Sequence, residues 1–278
     1  MISVLTKEKY VDENVPEIPT AAVEADLTKL GFCEDFNDFS GIDVNNTREP
    51  GYNFYVYRPF GWEATESDAL SINNSILTIK NPVNRAQYDI ATVALSSDGK
   101  KMVGFAHKGA AYFEASIAFD PDKLPERGKG FPAFWTMSAE HLFSQSFTKP
   151  RYGESSDGFI YLENDFMEWN SLWHDSNKYW HAIHQWLKST EENNNKQFPA
   201  GDCSVVPQGE VDFRRFNTFG CLWIPGERID TYFNNNLIRS VKISDHPDLV
   251  GVGEEHHMPV ILGSGNMPLM VDWVRVWN

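Results

Sequence analysis

The sequence has no run of 18 apolar residues, so no segment is long enough to cross a bilayer as a helix. Cysteine is scarce. Cys33, Cys203 and Cys221 stand far apart and form no CxxC or Cys/His pattern, which argues against a zinc ribbon or finger. They read as three reduced, mostly buried thiols, with a Cys203–Cys221 bridge as the alternative in an oxidising compartment. Basic residues are few, 24 against 39 acidic ones, for a net charge of −15. Phosphate backbones and anionic membranes are bound through basic patches, so neither nucleic acid nor a membrane surface is expected as a partner. Several catalytic frames are missing as well. GSG at 263–265 lacks the GxxxxGK[ST] frame of a phosphate loop, and EEHH at 254–257 lacks HExxH spacing. No GxSxG elbow is present. The opening MISVLTKEKY carries charge where a signal peptide has its apolar core, so the chain reads as intracellular or as a mature fragment behind a new Met.

What is present is globular. The 278 residues are 41% apolar and 14% aromatic, with nine Trp. Residues 1–30 read as a polar lead-in and 31–278 as one domain, because no linker-like shift in composition divides them. LTIK at 77–80 reads as a strand, as does LMVDWVRVW at 269–277. AYFEASIAF at 111–119 alternates, with Phe113, Ala115, Ile117 and Phe119 on one face and Glu114 and Ser116 on the other, the pattern of a half-buried strand. FGCLWI at 219–224 and RIDTYF at 228–233 flank Pro225-Gly226, a hairpin signal. Helical periodicity with caps is lacking, so helices are expected to be few and short. Residues 138–157 and the Asn-rich 187–210 read as loops, positions where a rigid scaffold often carries binding function. Short strands between turn clusters point to an all-β antiparallel sandwich or jelly roll.

The segment that carries chemistry is Glu163-Asn164-Asp165-Phe166-Met167-Glu168. On a strand, Phe159, Tyr161, Glu163 and Asp165 share one side. Strict alternation sends Glu168 to the other side, but a β-bulge at Phe166-Met167 returns it beside Asp165. Three acids on one face repel one another, an arrangement that stability alone does not favour. Glycosidic chemistry uses such a row: one carboxylate attacks the anomeric carbon and a second carboxylic acid protonates the leaving oxygen. A separation of about 5–5.5 Å gives the retaining route. A solvated or calcium-binding acidic face is the competing reading of the bare ExDxxE pattern.

The segment resembles the active-site strand of glycoside hydrolase family 16 in its bulged, laminarinase- and agarase-like form. Other blocks resemble the family in the same order: GAAYFEASIAF at 109–119, GFPAFWTM at 130–137, FNTFGCLWIPGERIDTYFNNN at 216–236, and MPVILGSG at 258–265 followed by MPLMVDWVRVWN. Together they span roughly Phe36 to Asn278. The resemblance implies a β-jelly roll of two curved antiparallel sheets with a cleft on the concave face. It implies Glu163 as nucleophile, Glu168 as general acid/base and Asp165 as the assisting acid between them. Trp135 is implied near the scissile subsites. HAIHQW at 181–186 matches the position of a family His, which makes His184 and His181 candidate sugar contacts. Trp169, Trp173, Trp180 and Trp186 crowd the same region, and sugar faces stack on such rings. We take Trp169 and Trp173 as candidates. Asn164 departs from the family, which has an aliphatic residue there; an amide facing the sheet interior needs partners. Family members often hold a structural calcium on the convex side, and Asp272 sits at the matching position.

The expected activity is a retaining endo-glycoside hydrolase on a β-linked polysaccharide, with no cofactor required for catalysis. In the family the resemblance points to, the bulged motif goes with β-1,3-glucanases, although galactan-cleaving members share it, and the overall acidity leans towards a neutral glucan. The alternatives are a lectin-like carbohydrate-binding protein without turnover, or a transglycosylase using the same acids. The expected partner is the polysaccharide substrate, and the protein is expected to be a monomer. The substrate class implies an extracellular location.

Overall fold

The alternating segments fold into two large sheets laid against each other. The computed structural model describes residues 16–57, 63–80, 87–123, 131–142, 159–169, 177–188, 193–209, 211–265 and 267–278. In chain order the strands are β1 (Leu30–Glu34), β2 (Ile42–Asp43), β3 (Phe54–Tyr55), β4 (Leu70–Asn73), β5 (Ile76–Ile79), β6 (Tyr88–Ala91), β7 (Val93–Leu95), β8 (Met102–Gly104), β9 (His107–Lys108), β10 (Ala111–Ala118), β11 (Ala133–Met137), β12 (Phe159–Glu168), β13 (Tyr179–Lys188), β14 (Asn193–Phe198), β15 (Ser204–Val205), β16 (Asn217–Ile224), β17 (Arg228–Phe233), β18 (Asn236–Lys242), β19 (His257–Met258), β20 (Ile261–Ser264) and β21 (Leu269–Trp277). Helices are short, including α1 (Thr20–Glu24) and α2 (Ala139–Leu142). None among the described residues is long and apolar enough to cross a membrane.

The back sheet runs β18-β17-β16-β10-β21-β5-β4, with β1 also on β21. The front sheet runs β14-β13-β12-β11-β20-β6-β3-β2, with β15 also on β13. Pairing is antiparallel apart from β2 with β3. This is the jelly-roll sandwich that the strand pattern anticipates. Pro225 and Gly226 (φ 72°) form the turn of the β16–β17 hairpin, closed by Glu227 N–H donating to Ile224 O at 3.0 Å. Gly supplies the positive φ that a side chain resists.

One apolar core fills the space between the sheets. Phe113 of β10 stacks on Phe166 of β12 with ring centroids 5.2 Å apart, and Phe134 of β11 meets Phe166 edge-on at 4.8 Å. Rings buried in this way stabilise by about 1.5–3 kcal/mol each. The outer face of the back sheet is covered too. Ala21, Ala22 and Leu27 pack on Tyr112, Leu222 and Trp277, so β10 is buried on both faces, more than its alternation predicts.

The Asn-rich stretch is a correction. Residues 187–210, expected as a loop, hold the end of β13, the whole of β14 and β15. The residues of β14 before Phe198, Asn193 to Gln197, are all polar and show no apolar alternation, so nothing in the sequence betrays the strand. Of the other expected loop, residues 139–142 form α2, and 143–157 lie outside the described residues. Cys203 and Cys221 do not bridge. Cys203 Sγ accepts from Gln197 Nε2 at 2.9 Å, and Cys221 Sγ accepts from Asn164 Nδ2 at 3.5 Å.

Candidate active site

The front sheet gathers the acids on its outer face. Against β13, Asp165 pairs with Ala182 and Glu168 with Trp180, so Phe166 and Met167 together oppose His181. Against β11, Trp135 pairs with Asp165, and Phe134 with Met167. One extra residue on β12 is a β-bulge. Phe166 and Met167 are both buried in the core between the sheets. The bulge thus spends two consecutive side chains inward, and Glu168 emerges on the side of Asp165 and Glu163. Ring packing of Phe166 on Phe113 and Phe134 holds the kink in place.

The electrostatics agree with that placement. Asp165 is 1% exposed. Burial pushes its carboxyl up to about 8, against the pull of a hydrogen bond shared with Glu163. Burial first, then the charges of Asp165 and Glu168, raises Glu163 well above the carboxylate range. Burial and Asp165 do the same to Glu168. Two carboxyls in mutual contact hold one proton between them, so the row titrates as a unit.

Three further groups meet the row. Trp186 donates from Nε1 to Glu163 Oε2 at 2.5 Å while its ring stacks on Tyr161, centroids 6.2 Å apart and planes 9° from parallel. His184 lies across from Glu163, with Nε2 3.2 Å from Asp165 Oδ2. Its Nδ1 donates to Asn195 Oδ1 on β14 at 3.1 Å, which fixes the ring. Trp135 sits across from Asp165 on the same face, in a cluster with Tyr161 and Met137. One donor atom each from Glu163, Asp165 and His184 lies within 4.8 Å of the others, a set that a cation is able to share.

Other expected contacts are not brought to this face. His181 is 0% exposed and points between the sheets, because it lies three residues from His184 on an alternating strand. Trp169 is 3% exposed and packs in the core, its ring 5.9 Å from Phe119. Trp173 lies outside the described residues. Asp272 stands at an irregularity between β10 and β21, with Ser116 Oγ donating to its Oδ2 at 3.4 Å. Among the described residues no set of three His, Cys, Asp or Glu side chains includes Asp272; calcium also takes backbone and water oxygens. The sequence places Trp186 among the aromatics near the motif without singling it out, and it gives no hint of Asn195. Trp186 had a signal, since it shares the parity of His184; Asn195 in an all-polar stretch had none.

No protein-family model and no curated protein matches the sequence. Solved structures do. A β-porphyranase from the human gut bacterium Bacteroides plebeius aligns over 98% of this chain and 98% of its own, at 13% identity and a TM-score of 0.59. β-Agarase A in complex with oligoagarose aligns over 81% of this chain and 82% of its own, at 16% identity and a TM-score of 0.56. The chain has the glycoside hydrolase family 16 fold. The catalytic domain of an endo-1,3-β-glucanase from Thermotoga petrophila RKU-1 shares it over 90% of this chain and 97% of its own, at 14% identity and a TM-score of 0.52. Identities this low speak to architecture, and within the family 16 fold it is the acid row that must carry any argument about chemistry.

Proposed function

We propose that the protein is a retaining endo-glycoside hydrolase acting on a β-linked polysaccharide outside the cell. The observation that carries this reading is the bulge in β12, which lines Glu163, Asp165 and Glu168 along one face. Trp186 aims an N–H at Glu163, a bond that favours charge on that carboxyl over its neighbour. Burial raises both carboxyls, so the pair shares one proton, and Glu163 is the free carboxylate when that proton rests on Asp165. Glu163 attacks the anomeric carbon as the glycosidic bond breaks. Glu168, held protonated by burial, gives its proton to the leaving oxygen. The resulting glycosyl ester is cleaved by water, which Glu168, now a carboxylate, deprotonates.

The substrate we favour is a neutral β-1,3-glucan. The net charge of −15 repels sulfated polymers, and a laminarinase is among the folds matched. The test is a panel of laminarin, mixed-linkage glucan, xyloglucan, agarose, porphyran and carrageenan, followed by reducing ends beside Glu163→Gln. Release from one polymer that vanishes in the variant supports the reading. Binding without release on every polymer refutes it in favour of a lectin, and lengthened oligomers refute hydrolysis in favour of transfer.

A further inference from the structure

Between the sheets, directly behind the acids, five polar atoms are buried without a partner. Asn164 Oδ1, Tyr179 Oη, both ring nitrogens of His181, and Thr231 Oγ1 have no hydrogen-bond partner among the described residues. Asn164, His181 and Thr231 are 0% exposed. These groups converge. On the back sheet Cys221 lies across from Thr231, and Thr231 across from Arg239, so the three share one face. From the front sheet Asn164 reaches over to place Nδ2 3.5 Å from Cys221 Sγ. Arg239 crosses the other way and donates to the carbonyls of His181 and Cys203, both at 3.0 Å, and of Ser204 at 2.7 Å. The guanidinium acts on both Tyr179 and His181. A polar seam therefore runs through the core from the catalytic strand to β18.

Such a seam is unfavourable for stability. Each buried polar group left without a partner costs about 1–3 kcal/mol. In native interiors internal water supplies the missing partners. An apolar side chain of equal volume at 164 is the cheaper solution, so the amide is explained by something other than stability. Its position supplies the reason. Leu162 and Phe166, its inward-facing neighbours on β12, hold the strand by apolar packing. Packing resists withdrawal from the core but is weakly directional along the strand. A hydrogen bond is directional.

We infer that Asn164 is a positioning residue: through the hydrated seam to Cys221, Thr231 and His181 it fixes the register in depth and along the strand of Glu163 and Asp165, the two residues bonded to it. The inference rests on the hydrolase reading above and names a further residue of the same site. A displacement of about 1 Å at a reacting group costs up to about a hundredfold in rate. Asn164 is flanked on both sides by such groups.

The experiment is Asn164→Leu in the full chain, with Asn164→Leu/Cys221→Val as a wholly apolar version of the contact. Positioning predicts that kcat falls by about tenfold to a hundredfold while KM stays within about twofold. It also predicts a melting temperature equal to or above that of the wild type, since an unpartnered amide has been removed. A structural role alone predicts activity and melting temperature falling together. The second readout needs no substrate: carboxyl carbon-13 titration of Glu163 and Asp165 by NMR. The titrating groups facing them, Glu168 on β12, His184 on β13 and Cys203 beside β15, are the same in both proteins. The titration shifts in the variant if Asn164 positions the pair. Wild-type kcat with an unshifted titration overturns the inference, as does lost activity in proportion to lost stability. Should the wild type cleave no polymer, the hydrolase reading fails by itself. The titration then still decides whether the seam positions the acids.

Discussion

Glu114→Gln will flatten the pH dependence of stability without touching the active site. Glu114 lies on the outer face of the back sheet, 4% exposed, and accepts from Trp277 Nε1 at 2.8 Å. Burial pushes its carboxyl from the ordinary 4.5 up to about 7, with Trp277 and Arg275 pulling back only in part. The folded chain therefore holds this proton more tightly than the unfolded one. The stability it contributes is complete below pH 4.5 and is lost as pH rises through about 7. Across that window each pH unit removes about 1.4 kcal/mol, for a loss of about 3 kcal/mol. Gln retains the acceptor oxygen for Trp277 and has nothing to titrate. Urea unfolding at pH 4, 6 and 8 measures the difference. The gap between variant and wild type should widen by about 3 kcal/mol in favour of Gln from pH 4 to pH 8. The buried acids of the front sheet contribute equally to both proteins, so they cancel. Parallel stability curves for the two proteins refute the reasoning.

Trp186→Phe keeps the stack on Tyr161 but removes the donor to Glu163. A hydrogen bond to a charged group is worth about 1.5–3 kcal/mol, so kcat/KM on the responsive polymer should fall about tenfold to a hundredfold. The rate profile should be bell-shaped, with both limbs above the ordinary carboxylate range, because burial raises Glu163 and Glu168 alike; steady-state rates from pH 4 to 9 check this. Trp169→Phe should destabilise by about 1–3 kcal/mol and leave KM unchanged, since the ring packs on Phe119 away from the acids; a raised KM at wild-type stability contradicts that placement.

The architecture and the acid row were legible for a shared reason. Alternation fixes which residues share a face, and the bulge follows from asking what brings Glu168 back to Asp165. The same parity was available for the histidines. His181 and His184 differ by an odd number of positions on a regular strand, so only one of them is able to face Glu163. Residue identity, a His or a Trp near a motif, tempted assignment where parity was the better guide; Trp169 went astray in the same way. What stayed hidden depends on contacts between segments distant in the chain. The donation from His184 to Asn195 needs the β13–β14 register, and the packing of Ala21, Ala22 and Leu27 on the outer face of β10 needs the path of the lead-in. Neither leaves a periodic trace.

Among the described residues the front sheet ends on β14, and a terminal strand is where another chain is able to come alongside. Asn195 and Lys196 are exposed there, and the Lys196 ammonium is held by Asp248 at 2.7 Å. A second molecule zipping onto this rim would have to bury that cation, so the strand that steadies His184 also carries a charge that disfavours sheet-to-sheet pairing between copies.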